Sequence, residues 1–191
     1  MRGHLRVILQ YKAPQRKFTG LDERLQGYTY TLGHNQNENF MVTTKAISNH
    51  VGRTYKNGGD VKKTIDQLRK VNIPPPEDLP VASEAIPATP GDPTTDPPTP
   101  PTEEVPAVAG PTPTEERIWQ KEIDEFMKRK SIFDRNLENL YSLVWEQCES
   151  ALQEKLKYLQ QYRTMSEDCD SVTLLLSIRE VVFEHESQKY Q

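Results

Sequence analysis

Three of the four histidines, His34, His50 and His185, are the residues best suited to metal or acid–base chemistry, and their spacing argues against both. They lie far apart, with no cysteine or carboxylate at metal-ligand spacing. His185-Glu186 is not followed by the x-x-His that a helical zinc site needs. Gly58-Gly59-Asp60-Val61-Lys62-Lys63-Thr64 has the flavour of a phosphate loop, but it lacks the G-x-x-x-x-G-K-[ST] spacing. Helix capping accounts for its glycines and its aspartate. Cys148 and Cys169 have no partner histidine with a third orienting group, and no serine-centred elbow occurs. The expectation is no catalytic residue, no metal, no cofactor and no small-molecule substrate, so the chain is read as not an enzyme.

The basic side chains carry a stronger signal. Arg2, Arg6, Lys12, Arg16 and Lys17 crowd the amino terminus, and Arg53, Lys56, Lys62, Lys63, Arg69 and Lys70 recur between 53 and 70. Residues 1–73 carry 13 Lys+Arg against 5 Asp+Glu. Residues 74–113 carry 7 acids and no base, and residues 114–191 carry 16 acids against 11 bases. A net charge of −4 therefore conceals a basic, an acidic and a mildly acidic block. The basic block could neutralise phosphates without reading bases. Arg16, Lys17, Arg53, Lys56, Lys62, Lys63, Arg69 and Lys70 are its candidate nucleic-acid residues.

The elements that would position these groups are helical. The longest periodic run is 114–159, where Trp119, Ile123, Phe126, Phe133, Leu137, Leu140, Val144, Cys148, Leu152, Leu156 and Leu159 recur at steps of three, four or seven. Tyr141 and Trp145 widen the stripe, and a break or kink is expected near Lys130-Ser131. Trp119, Phe126, Leu137, Tyr141, Trp145, Cys148 and Leu152 are its candidate core and self-association residues. Thr114 is the expected N-cap, with Glu115 and Glu116 in the first turn. A helix is expected over 38–55 with Asn37 as cap, ended by Asn57-Gly58-Gly59. A second follows over 61–71, capped by Asp60, and the two form a hairpin. Residues 160–170 read as a polar connection. A last helix begins at Asp170 or Ser171, with Val172, Leu175, Ile178, Val182 and His185 inward, broadened by Leu174 and Val181.

Residues 74–113 hold 14 of the 15 prolines, mixed with Thr, Ala, Glu and Asp. Proline fixes φ and lacks an amide donor, so neither helix nor sheet propagates there. The segment reads as a disordered, extended spacer with polyproline II character. Pro97-Pro98-Thr99-Pro100-Pro101 could bind an SH3-type groove, but the spacer is the favoured reading. The fold class is mostly α: a basic and disordered terminus at 1–17, a small basic helical unit at 18–73, a proline-rich linker at 74–113, and a helical unit with one long helix at 114–191. Cys148 on an apolar face and Cys169 in a polar turn suggest reduced thiols and a cytoplasmic protein. No apolar run of spanning length occurs, so no membrane association is expected.

Several of these stretches together resemble a known family. Lys17-Phe18-Thr19-Gly20 with Leu25-Gln26-Gly27-Tyr28 is similar to its opening pattern, and 40–45 followed by 51–61 to its most recognisable segment. Glu115-Glu116-Arg117-Ile118-Trp119, Glu125-Phe126, Leu140-Tyr141-Ser142-Leu143-Val144-Trp145-Glu146-Gln147-Cys148 and Ser187-Gln188-Lys189-Tyr190 follow in order. The whole resembles the gag-like amino-terminal region of Copia-type retrotransposons, in an algal version, over 17–73 and 114–190. The resemblance implies a structural protein that self-assembles into a homo-oligomer and contacts RNA. A cysteine usual after the first F-x-G is absent, with Leu21 nearby. The zinc knuckle to which gag regions commonly continue is not among these residues, so the expectation is a truncated or domesticated region with non-specific RNA contact. The reading from another class is a helical protein–protein adaptor with no nucleic-acid role.

Overall fold

The computed structural model describes residues 18–84, 106–107 and 109–187, with side chains described up to Phe183. The expected disordered terminus, the candidate residues Arg16 and Lys17, the Pro97–Pro101 stretch and residues 188–191 lie outside the described residues. The described chain is mostly α. Its helices are α1 (Gln36–Thr54), α2 (Gly58–Gln67), α3 (Pro113–Glu146), α4 (Ser150–Lys157), α5 (Tyr162–Glu167) and α6 (Ser171–Ser187), preceded by a 3-10 turn at Glu23–Leu25. Among the described residues no helix is long and apolar enough to cross a membrane.

The chain divides into two compact units, Met1–Lys70 with Asn136–Gln191, and Val71–Arg135. The sequence reading keeps the basic hairpin and the carboxy-terminal helices apart. In the structure both belong to the first unit, because neither amphipathic set is wide enough to enclose its own apolar face. α1 and α2 form the expected hairpin, α1 lies beside α6, and α6 also packs on α4 and α5. Ile47, Val51, Val61, Ile65, Leu140, Val144, Leu152, Leu156, Leu174 and Ile178 are buried in this unit. Each contributes about 1.5–3 kcal/mol by leaving water. Polar ties fix the register. Gln36 Nε2 donates to the Val182 carbonyl, Thr43 Oγ1 to the Thr29 carbonyl at 3.1 Å, and Asn136 Nδ2 to the Lys56 carbonyl at 2.8 Å.

The long apolar run breaks at Gln147–Glu149, not near Lys130-Ser131, and α3 is continuous to Glu146. The break is imposed from outside the helix. Tyr30 N–H donates to the Gln147 carbonyl at 2.9 Å and Glu149 N–H to the Tyr30 carbonyl at 2.9 Å, a parallel bridge that takes these groups out of the helical ladder. The loop before Tyr30 is pinned to the same point. The buried Gln147 carboxamide donates to the Tyr28 carbonyl at 2.9 Å and accepts from Asp22 N–H at 3.2 Å. Gly20 lies against that amide with φ +88°. A Cβ there would stand 1.8 Å from a terminal atom of that carboxamide, so glycine leaves the space that the amide occupies.

The helix starts also differ from the expected ones. α3 begins with a capping box. Glu115 N–H donates to Thr112 Oγ1 at 3.3 Å, Glu115 Oε2 accepts from Thr112 N–H at 2.7 Å, and Pro113 fills the first helical position. Thr112 therefore caps, and Thr114 lies inside the helix. That contact holds the Glu115 carboxyl below its ordinary range, through the Thr112 backbone and then its hydroxyl. α1 starts at Gln36 behind a left-handed Asn35, ahead of the expected Asn37 cap. Gly58 and Gly59 open α2 rather than close α1, and Asp60 sits in its first turn. A Cβ on Gly58 would meet the Val51 carbonyl at 2.3 Å, so glycine permits the close turn between the two helices. The expected polar connection contains α5, whose Met165 is buried. Asp170 caps α6, accepting from Val172 N–H at 3.0 Å and Thr173 N–H at 3.1 Å.

The second unit is built from α3 before Asn136 and the chain that enters it. Residues 74–77, expected to be disordered, lie against the helix. Trp119 Nε1–H donates to the Glu77 carbonyl at 3.0 Å. Prolines block regular pairing in this stretch, but they do not prevent Ile73 and Pro76 from lying beside Phe126.

Candidate nucleic-acid interface

The basic side chains are carried by the α1–α2 hairpin and its exits. Arg53 stands in the last turn of α1, where a cation suits the carbonyl end of the helix, and its side chain is exposed. Lys56 is exposed in the turn that follows, where its carbonyl is anchored by Asn136. Lys63 is exposed on α2, and Arg69 and Lys70 are exposed just beyond it. There Leu68 takes a left-handed φ of 48° and Arg69 N–H donates to the Thr64 carbonyl at 3.2 Å. The helix thus ends four residues short of the expected Val71.

Lys62 differs from the others. Its stem crosses Gly52, where a Cβ would touch its Cδ at 3.0 Å. Its ammonium lies 3.4 Å from Asp66 and donates to Ser48 Oγ at 3.1 Å and Asn49 Oδ1 at 3.3 Å. Ser48 Oγ in turn donates to Asp66 Oδ1 at 2.6 Å. Burial alone would raise the Asp66 carboxyl. The Ser48 and Lys62 hydrogen bonds and the charges of Lys62 and Lys45 outweigh it and hold the group below its ordinary range. Lys62 is therefore a hairpin tie, and a phosphate would have to compete with Asp66 for it. Lys45, exposed on α1 and felt by Asp66, belongs with the basic set, although the sequence reading did not single it out. The signal that could have found it is its place one helical turn before Asn49, on the outer side of α1.

The candidate self-association residues do not form one open stripe. Leu137, Tyr141, Cys148 and Leu152 are buried within the first unit. Cys148 Sγ lies 3.3 Å from the Val144 carbonyl, and burial pushes its thiol far above the ordinary range, which makes it an inert core residue. Trp145 is half-buried and stacks on Tyr141, 6.5 Å away and nearly parallel, with Tyr162 tilted against it at 5.8 Å. Trp119 and Phe126 are half-buried in the second unit. Surface apolar groups remain elsewhere, at Met41, Val42, Ile118, Met127, Leu176 and Phe183.

His34 lines an open groove of about 820 Å³ bordered by Phe18, Leu21, Leu32, Glu146 and Glu149, and His50 lies on α1. Among the described residues no three metal-ligating side chains converge. No family model, no curated protein and no solved structure matches the chain.

Proposed function

We propose that the chain is a gag-like structural protein of retrotransposon origin, non-enzymatic and intracellular, which self-assembles and contacts RNA without sequence preference. The single observation that carries this reading is the junction at Gln147. Phe18-Thr19-Gly20, Leu25-Gln26-Gly27-Tyr28 and the run from Leu140 to Cys148 are three of the stretches that carry the resemblance. They meet there through Gly20, the Tyr28 carbonyl and the Tyr30–Cys148 bridge. Stretches that converge on one packing point are what a shared fold requires. The exposed Lys45, Arg53, Lys56, Lys63 and Arg69 supply the phosphate contacts. Lacking a base-reading module, they bind through charge alone.

The test is titration of the full chain with unrelated RNAs at low and moderate salt, with mass followed by light scattering. The expected result is equal affinity for all RNAs and a log–log salt slope of about −0.7 per phosphate neutralised. Arg53→Glu with Lys63→Glu should flatten that slope while leaving the helical signal intact. A chain that stays monomeric and binds no RNA at low salt overturns the reading and leaves a helical adaptor.

A further inference from the structure

The second unit contains a contact of a recognisable kind. Along the chain that enters it, Ile73, Pro76 and Leu79 are half-buried, whereas Pro74, Pro75, Glu77 and Asp78 are exposed. That period of three is the repeat of a polyproline II helix, which three consecutive prolines favour by fixing φ. Along α3, Trp119, Ile123 and Phe126 are half-buried among exposed neighbours, the i, i+4, i+7 spacing of one helix face. The indole N–H of Trp119 donates to the Glu77 carbonyl at 3.0 Å. Ile73, Pro74, Pro75 and Pro76 border a 330 Å³ cleft with Phe126 and Arg129. An aromatic face with a tryptophan donor aimed at the carbonyl of a proline-rich segment is the chemistry by which such peptides are captured. The segment has no amide ladder of its own to lose and gives up little entropy.

We infer that the Trp119–Ile123–Phe126 face of α3 is a receptor for extended proline-rich peptides, and that its partner is the Ile73–Leu79 segment of a second copy of this chain. Within one copy the segment is the first occupant of the face. The choice of a second copy rests on the assembly reading proposed above, whereas the site itself does not. The contacts made in exchange are the same as those made within one chain, so exchange needs no new surface and links copies segment to face. Tethering favours the contact within one chain at low concentration. Exchange grows as the chain approaches the effective concentration that its own tether sets.

Complementation between two full-length variants tests this. Trp119→Glu disables the face and keeps the segment; Ile73→Asp with Pro76→Asp disables the segment and keeps the face. Each variant alone should associate least, and an equimolar mixture should form heterodimers at about tenfold lower concentration than either alone, a difference of one decade in Kd. Trp119→Phe, which retains the ring and loses the donor, should weaken pairing when it replaces the intact face. Circular dichroism of each variant verifies that the helices survive. A mixture that associates no more than its components overturns the inference. If wild type still self-associates in that case, assembly uses another surface and the proposed function stands. If the mixture pairs while wild type remains monomeric, the receptor is upheld and the assembly reading falls.

Discussion

The two units use proline, glycine and aromatic residues in opposite ways. The first unit closes a core from segments far apart in sequence, and its special residues sit where backbones approach closely: Gly20 on Gln147, Gly58 on Val51, Tyr30 across the α3–α4 break. Among its described residues the second unit has the amino-terminal part of α3 and a proline-rich strap. Trp119, Ile123 and Phe126 are only half-buried, and the neighbouring Ile118 and Met127 remain exposed. Burial of several faces at once gives cooperative stability, whereas a helix covered on one side gives a contact that can open and exchange.

The largest expected effect lies in the first unit. Leu140, fully buried, should cost about 2–5 kcal/mol on Leu140→Ala, against about 0.5 kcal/mol or less for the exposed Ile118→Ala, both measured by urea unfolding. Similar costs would erase the distinction between the units. Next comes Gly20→Ala, at about 2–4 kcal/mol, combining a left-handed φ with displacement of the buried Gln147 amide. Gly27 shares the φ of +88° but has nothing within 4 Å of an added Cβ. Gly27→Ala should therefore cost only about 1–2 kcal/mol, and the difference isolates the Gln147 contact.

Trp145→Ala should cost about 1.5–2.5 kcal/mol, below the range for a fully buried tryptophan, because the ring is half-buried and held by stacking. Glu138, exposed on the same helix, provides the near-neutral control. A smaller effect is expected at Asp66. Its carboxyl is held below the ordinary range in the fold, so its contribution is present above the unfolded pKa and is lost as pH falls through the folded one. Asp66→Asn should make the acid limb of the stability profile shallower and leave Arg53 and Lys63 free to bind RNA. The effect is modest because the carboxylate is open to solvent. Smallest of all, Trp119→Phe should leave the melting of the first unit unchanged, since its one hydrogen bond belongs to the second. A shift of more than a degree or two would mean that the units unfold together.

Much of the secondary structure was legible because helix periodicity is local. The α1–α2 hairpin, the inward Leu175, Ile178 and Val182 of α6, and the run from Phe133 to Leu156 all follow from spacing. The capping box at Thr112 and Glu115 was also in reach, since Thr-Pro-Thr-Glu carries its full signature; the expected cap at Thr114 lies two residues too late. α5 was missed because six polar-rich residues with one buried methionine give no readable period. The site residues divide similarly. That Lys63 and Arg53 are exposed follows from helix phase, whereas the tie between Lys62 and Asp66 is local at i, i+4 but depends on Ser48 from the other helix.

The sequence by itself determined the helical class, the charge blocks and the places where proline forbids a ladder, because each depends on residues within a few turns of one another. Tertiary structure decided where the long apolar run stops. Nothing near Gln147 breaks a helix; Tyr30, more than a hundred residues away, takes its carbonyl. Tertiary structure also decided that 18–70 and 136–187 share a core, and that Ile73 to Glu77 lie along a helix instead of remaining in water. Periodicity records that a face is apolar. It carries no record of which face, distant in the chain, will cover it, because hydrophobic burial is non-directional and the partner is selected only when the whole chain closes.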